Sequence, residues 1–168
     1  HICEEVIYVI SGHGSTTVHL EDGSRHSFEW GPKSLFSIPL NATHQHFNAS
    51  GREPARFASV NNMVFVMSRF RDEDFIFNCP TPFPGRVGRA DYFMGEGEFI
   101  SISPGRHQWE TNFVSDLSGF ELKQWSQRGA GGSNLRFMLT ENTIGAHSSE
   151  MPVGTYKKGH RHGPGFHV

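Results

Sequence analysis

The chain has 168 residues, enough for one sizeable hydrophobic core and short of what two complete domains need. Its 15 Lys+Arg against 17 Asp+Glu leave no broad basic surface, which sets aside nucleic acid and anionic membrane as partners. Two cysteines, Cys3 and Cys79, are too few for a disulfide framework, no apolar run approaches the ~20 residues of a membrane helix, and the opening HICEE lacks a basic leader, so free thiols in a reducing, cytoplasmic setting are expected.

With 19 Gly, 9 Pro and 15 Phe and no long helix-forming run, the composition suits short strands joined by many turns, an all-β chain. Six strands are predicted in order between Glu5 and Asn62: VIYVI, STTVHL, RHSFEW, SLFSI, HQHFNA and ARFASV. Asp22-Gly23 marks a hairpin between the second and third, and an antiparallel meander is expected. Val6 to Ile10 reads as a strand covered on both faces, Ser15 to Trp30 as a half-exposed hairpin. From Arg69 to Gly97 periodicity is lost, which predicts a connector, with a short helix over Arg89 to Met94. Strands resume at EFISI, GFELKQW, LRFMLT and EMPVGTY, with a Gly-rich loop from Arg128 to Asn134. Phe28, Trp30, Phe36, Trp109 and Phe113 read as core or interface aromatics, and His13, His19, His26, His107 and His147 as surface residues.

In PLNATHQHFN, on a strand, His44, His46 and Asn48 share one face because strand side chains alternate. His160 and His162 repeat that alternation near the other end of the chain, ahead of a turn around Pro164 and then His167. Paired imidazoles converging with a carboxylate or a third imidazole make a candidate metal site. Cys3 shares parity with His1 and Glu5, so its thiol either faces the same site or serves as a small buried apolar group.

These residues carry a resemblance. Pro39, Asn41, His44 and Asn48 resemble the second cupin motif, with Asn41 replacing the usual glycine at a position that tolerates a left-handed backbone. His1, Glu5 and Gly12 match the latter half of the first cupin motif, with Glu5 favoured over Glu4 by its spacing to Gly12, and Gly154, His160 and His162 match its earlier half. The two partial copies imply a bicupin: a cupin jelly-roll barrel over 1–68, a connector over 69–97, and the opening strands of a second barrel over 98–168. The resemblance further implies that the sequence is a piece of a longer protein.

By the same resemblance, the metal ligands would be His1, Glu5 and His44 in the first barrel and His160, His162 and His167 in the second. His46 and Asn48 would orient a ligand histidine or a bound substrate. The cofactor implied is a divalent metal, Fe(II) foremost, with Mn, Ni or Zn as alternatives. HQHFN is also similar to the pattern in gentisate-type ring-cleaving dioxygenases, which implies a dioxygenase acting on a small hydroxylated or carboxylated substrate. A metal-dependent isomerase or decarboxylase and a non-catalytic small-molecule-binding cupin are the alternatives. Barrel edges left open imply a homo-oligomer in the intact protein.

Overall fold

A computed structural model describes residues 1–161, so His162 and His167 lie outside the described residues. The first half holds β1 (Glu5–Ser11), β2 (Gly14–His19), β3 (Arg25–Trp30), β4 (Leu35–Ser37), β5 (Thr43–Asn48) and β6 (Arg56–Asn61). Each falls on a predicted strand, and β2 and β3 form the hairpin turned at Asp22-Gly23. The expected meander is replaced by an interleaved order: β1 pairs with β4 and β6, whereas β2 pairs with β3 and β5. The reason is burial. Sending consecutive strands to different sheets lets the apolar face of each sheet cover the other, in a jelly-roll arrangement.

Between the two sheets lies a core of Ile7, Val9, Val18, Phe28, Trp30 and Phe36, closed by Phe93 and Phe113. The Phe28 ring stands 4.7 Å from that of Phe113 and 5.2 Å from that of Phe36. At the start of β1 both faces are covered, since Val6 and Ile7 are buried in different clusters. Further along only one face is, because Tyr8 is 37% and Ile10 56% exposed. Among the described residues no pairing joins the two sheets, so they face each other without closing a barrel.

The connector is more ordered than its composition predicts. It is preceded by helix α1 (Met63–Phe70) and contains α2 (Glu73–Phe77), a single turn at Pro84–Arg86 and a 3-10 helix at Ala90–Met94 where the sequence predicts a short helix. Asp72 starts α2, its carboxylate accepting the Phe75 amide at 3.0 Å, and Glu73 and Asp74 follow in the first turn where the helix dipole favours them. α1 escapes a periodicity search because Val64 and Phe65 are 84% and 68% exposed, leaving Val66 as its buried residue. Val66 and Ile76 pack on Cys3, which is how both helices are held under the first strand. Neither helix is long enough to cross a membrane.

The remaining strands are β7 (Glu98–Ser103), β8 (Arg106–Thr111), β9 (Phe113–Val114), β10 (Lys123–Gln124), β11 (Gly129–Ala130), β12 (Ser133–Leu139), β13 (Ala146–Glu150) and β14 (Tyr156–Lys157). β12 lies between β10 and β8, also pairs with β13, and runs parallel to β8, a pairing that no local pattern announces. The predicted strand GFELKQW shrinks to the two residues of β10, and EMPVGTY is broken by the turn whose Thr155 amide and hydroxyl both donate to the Pro152 carbonyl. β9 leaves this half altogether and adds to β4 of the first sheet, pairing Phe113 with Phe36 and Val114 with Leu35. Leu35 and Val6 then share a core with Leu135, Phe137 and Leu139.

A buried polar network runs through the same junction. Glu4, 5% exposed, accepts from the Thr143 amide at 3.1 Å, the Thr143 hydroxyl at 2.5 Å, the Ile144 amide at 3.2 Å and the Arg86 guanidinium. Arg86 also donates to Asn142 at 3.1 Å, and Asn142 donates to Ser37 at 2.7 Å. Ser37 accepts a second bond from Thr140 at 3.0 Å and gives its own proton to the Glu5 carbonyl, which saturates the hydroxyl. Burial alone would raise the Glu4 pKa, but the bonds from Thr143, Arg86 and Ile144 together outweigh it and hold the carboxyl below its ordinary 4.5. A depressed carboxyl contributes stability that is present above 4.5 and is lost as pH falls through the lower folded value. We therefore expect Glu4→Gln to cost about 2 kcal/mol at neutral pH, as a partner is removed from the part-buried Arg86. In urea unfolding, the difference between variant and parent shrinks toward zero as pH is lowered below 4.5; a pH-independent difference would refute the role.

Candidate functional site

His1, Cys3, Glu5, Ile38, Pro39, Asn41, Ala42 and His44 line one small cleft. The sequence stretch HICEE supplies one wall and PLNATH the other. One backbone bond joins the walls, the Asn41 amide donating to the His1 carbonyl at 3.1 Å, and another ties the first wall to α2, the Ile2 amide donating to the Ile76 carbonyl at 3.0 Å. Asn41 sits at φ +61°, the left-handed conformation its place predicts. Its side chain explains the choice of asparagine there, because the amide donates to the carbonyls of Cys79 at 2.8 Å and Thr81 at 3.0 Å, which a glycine could not do.

The donor groups of this cleft are not equally prepared. Nδ1 of His44 lies 3.0 Å from the Ala42 carbonyl, and a carbonyl can only accept, so Nδ1 carries the proton and the neutral ring keeps its lone pair on Nε2. Ring orientation by a backbone carbonyl is how a metal-ligating histidine is commonly held. Glu5 is fixed by the Ser59 hydroxyl, which donates to its Oε1. His1 has the opposite polarity: its Nδ1 accepts the Cys3 amide at 3.3 Å, which leaves the proton of the neutral ring on Nε2. His44 and Glu5 thus present acceptors to the cleft, while His1 does so only after releasing the Cys3 amide. Among the described residues no three His, Cys, Asp or Glu side chains stand close enough together to hold a metal ion. The donor types are those a divalent cation takes, but as placed they do not form a three-ligand site.

His46 lies next to this cleft, its ring 5.1 Å from that of His44, with the rings of Phe57 at 5.7 Å and Phe36 at 6.1 Å. Desolvation against these neighbours lowers its pKa, the charge of His44 lowers it further, and Glu5 opposes with a smaller upward pull. Its Nδ1 is 2.8 Å from the hydroxyl of Thr16, which in turn accepts the Trp30 indole N–H at 2.9 Å. Thr16 and Ser59 carry no signal in the sequence, and Trp30 reads there only as a core or interface aromatic. Neither Thr16 nor Ser59 follows from a local pattern, since Thr16 meets His46 through the β2–β5 pairing and Ser59 reaches Glu5 through the β1–β6 pairing.

Asn48 is engaged elsewhere: its amide donates to the Glu53 carbonyl at 2.8 Å and its oxygen accepts the Ser50 amide at 3.0 Å, closing the loop after β5. His160 is exposed, follows β14 rather than lying on a strand as its alternation with His162 predicts, and does not line the cleft. Its Nδ1 is 3.0 Å from the Lys158 carbonyl, the same two-residue return that orients His44.

No family model matches this chain, and no curated protein matches it. Among solved structures, it is similar to a point mutant of Bacillus subtilis oxalate decarboxylase, with a TM-score of 0.38 and 16% identity over 80% of this chain and 40% of that one. It is also similar to vicilin from Corylus avellana (hazelnut), with a TM-score of 0.35 and 13% identity over 80% of this chain and 44% of that one. The chain spans less than half the length of either. Likenesses at this level leave the function to be argued from the cleft itself.

Cys3 both lines the cleft and belongs to the buried cluster of Val66 and Ile76. Burial raises its thiol pKa and Glu5 adds to the rise, so the thiol stays protonated at neutral pH. A disulfide reagent added to the native protein is expected to label Cys79, which is partly exposed, well before Cys3. Both react together once the chain is unfolded; rapid native labelling of Cys3 would contradict the buried placement.

Proposed function

We propose that the chain is part of a cupin-type protein whose cleft binds a divalent cation, iron(II) foremost, together with a small hydroxylated or carboxylated substrate. The observation that carries this reading is the convergence of His1, Glu5 and His44, residues from two separate stretches of sequence, on one cleft. Glu5 and His44 would hold the ion in the geometry already set by Ser59 and the Ala42 carbonyl, and His1 would join on turning from the Cys3 amide. Bound there, the cation supplies Lewis acidity and open positions for substrate oxygen atoms. The protein's own role is to orient: the Glu4 network fixes the parity that points Glu5 into the cleft, and Ile38, Pro39 and Ala42 supply an apolar floor against water.

Dioxygenase chemistry is the reading we favour for the intact protein, on the similarity of HQHFN to ring-cleaving enzymes; the same ligands serve a decarboxylase or isomerase without oxygen. A homo-oligomer belongs to the same proposal, since β6 is an edge strand exposed along its length. The test is metal titration of the protein with Fe(II) under nitrogen, and with Zn(II) as a redox-silent control. We expect one ion per chain, with affinity reduced at least roughly 10-fold by His44→Ala and by Glu5→Gln. Unchanged metal content in both variants would remove the cation from the reading. Oxygen uptake on a panel of hydroxylated aromatic acids then separates an oxygenase from the oxygen-independent alternatives.

A further inference from the structure

His44 and His46 are neighbours on one face of β5, yet the structure gives them opposite tautomers. Thr16 is completely buried and accepts the Trp30 indole N–H, so its own hydroxyl proton must go elsewhere. The acceptor within reach is Nδ1 of His46, at 2.8 Å. Thr16 is therefore the donor, and the neutral ring of His46 carries its proton on Nε2. That Nε2 has no hydrogen-bond partner among the described residues. His44, anchored through an Nδ1 proton on Ala42, shows the reverse arrangement, with a lone pair on Nε2.

We propose that Thr16, itself fixed by Trp30, is a positioning residue that keeps His46 as an Nε2–H donor. That N–H binds an anionic oxygen, carboxylate or phenolate, of a substrate lodged beside His44 and Glu5. The inference rests on the reading of the cleft as a small-molecule site and adds its substrate polarity. A face offering one acceptor imidazole and one donor imidazole side by side can hold a cation on the first while the second meets the oxyanion paired with that cation. His46 is exposed, so its Nε2 is open to a solvent-borne oxyanion, with the Phe36 and Phe57 rings standing 6.1 and 5.7 Å from its own. The sequence is consistent with this division of labour. Thr16 lies across from His46 in the β2–β5 register, and the residue across from His44 is Val18, which offers that ring no hydroxyl.

The experiment has two arms. Long-range 15N–1H spectra of the histidine side chains, recorded without metal at about pH 8, above the reference imidazole value, should show His46 protonated at Nε2 with Nδ1 as a hydrogen-bonded acceptor, and His44 protonated at Nδ1. Thr16→Ser keeps the His46 pattern; Thr16→Val moves its Nδ1 resonance to that of a free acceptor and mixes the tautomers. In the second arm, benzoate binding is measured with and without Zn(II). Thr16→Val and His46→Phe should each weaken it roughly tenfold, Thr16→Ser should not, and neutral benzamide should be indifferent to all three. His46 protonated at Nδ1 in the parent protein, an unmoved Nδ1 resonance in Thr16→Val, or equal losses for benzoate and benzamide would overturn the proposal. Should Thr16→Val fail to fold, the tautomers of the parent and of Thr16→Ser decide alone. Failure to take up Zn(II) with the tautomers as expected would instead count against the metal reading and leave the role of Thr16 standing.

Discussion

The buried carboxylate of Glu4 is the constraint from which the rest of the molecule follows. A charge removed from water needs several donors, and Glu4 draws them from the connector through Arg86 and from the 140–144 turn through Thr143 and Ile144. Because side chains alternate along an extended chain, fixing Glu4 on one side sends Cys3 and Glu5 to the other. A slip of one residue would exchange the cleft-facing set for the clamp-facing set, so the network and the cleft are two results of one register. Asn62 reinforces that register, its side-chain oxygen accepting the Glu4 amide at 2.9 Å and its backbone N–H donating to the Glu4 carbonyl at 3.3 Å.

The first half of the fold was readable because its signals are local. Short strand-like runs bounded by Gly, Pro, Asn or Asp located β1 to β6. Asp22-Gly23 gave the hairpin, and the place of Asn41 gave its left-handed backbone. What was not readable depends on distant partners. β8 is a strand because it is sandwiched between β7 and a parallel β12, and nothing in RHQWET alone demands that. β9 is two residues long, below any periodicity, and exists through its pairing with Phe36 and Leu35. The sheet order was missed for a related reason: a hairpin signal reports which neighbours turn back on each other, not which face needs covering.

The site was only partly legible, and for the same physical cause. Parity brought His1, Cys3 and Glu5 together, and the strand after Pro39 brought His44 to them. Spacing says nothing about which nitrogen of an imidazole holds the proton. That is decided by the Ala42 carbonyl for His44, the Cys3 amide for His1 and the Thr16 hydroxyl for His46, three environments that make three chemically different histidines out of one residue type. Asn48 shows the limit of parity alone, since an amide that can reach its own loop satisfies itself there.

The short pairing of β9 with β4 reaches beyond its two residues. Leu35 and Phe36 face different cores, one shared with Leu135, Phe137 and Leu139 and the other with Phe28 and Trp30, and β9 seals both at once. The chain is in this sense stitched: a gene split or a protease cut in the connector would leave a pair of pieces that each expose a raw apolar edge, so complementation between them, rather than independent folding of either, is the behaviour built into the topology.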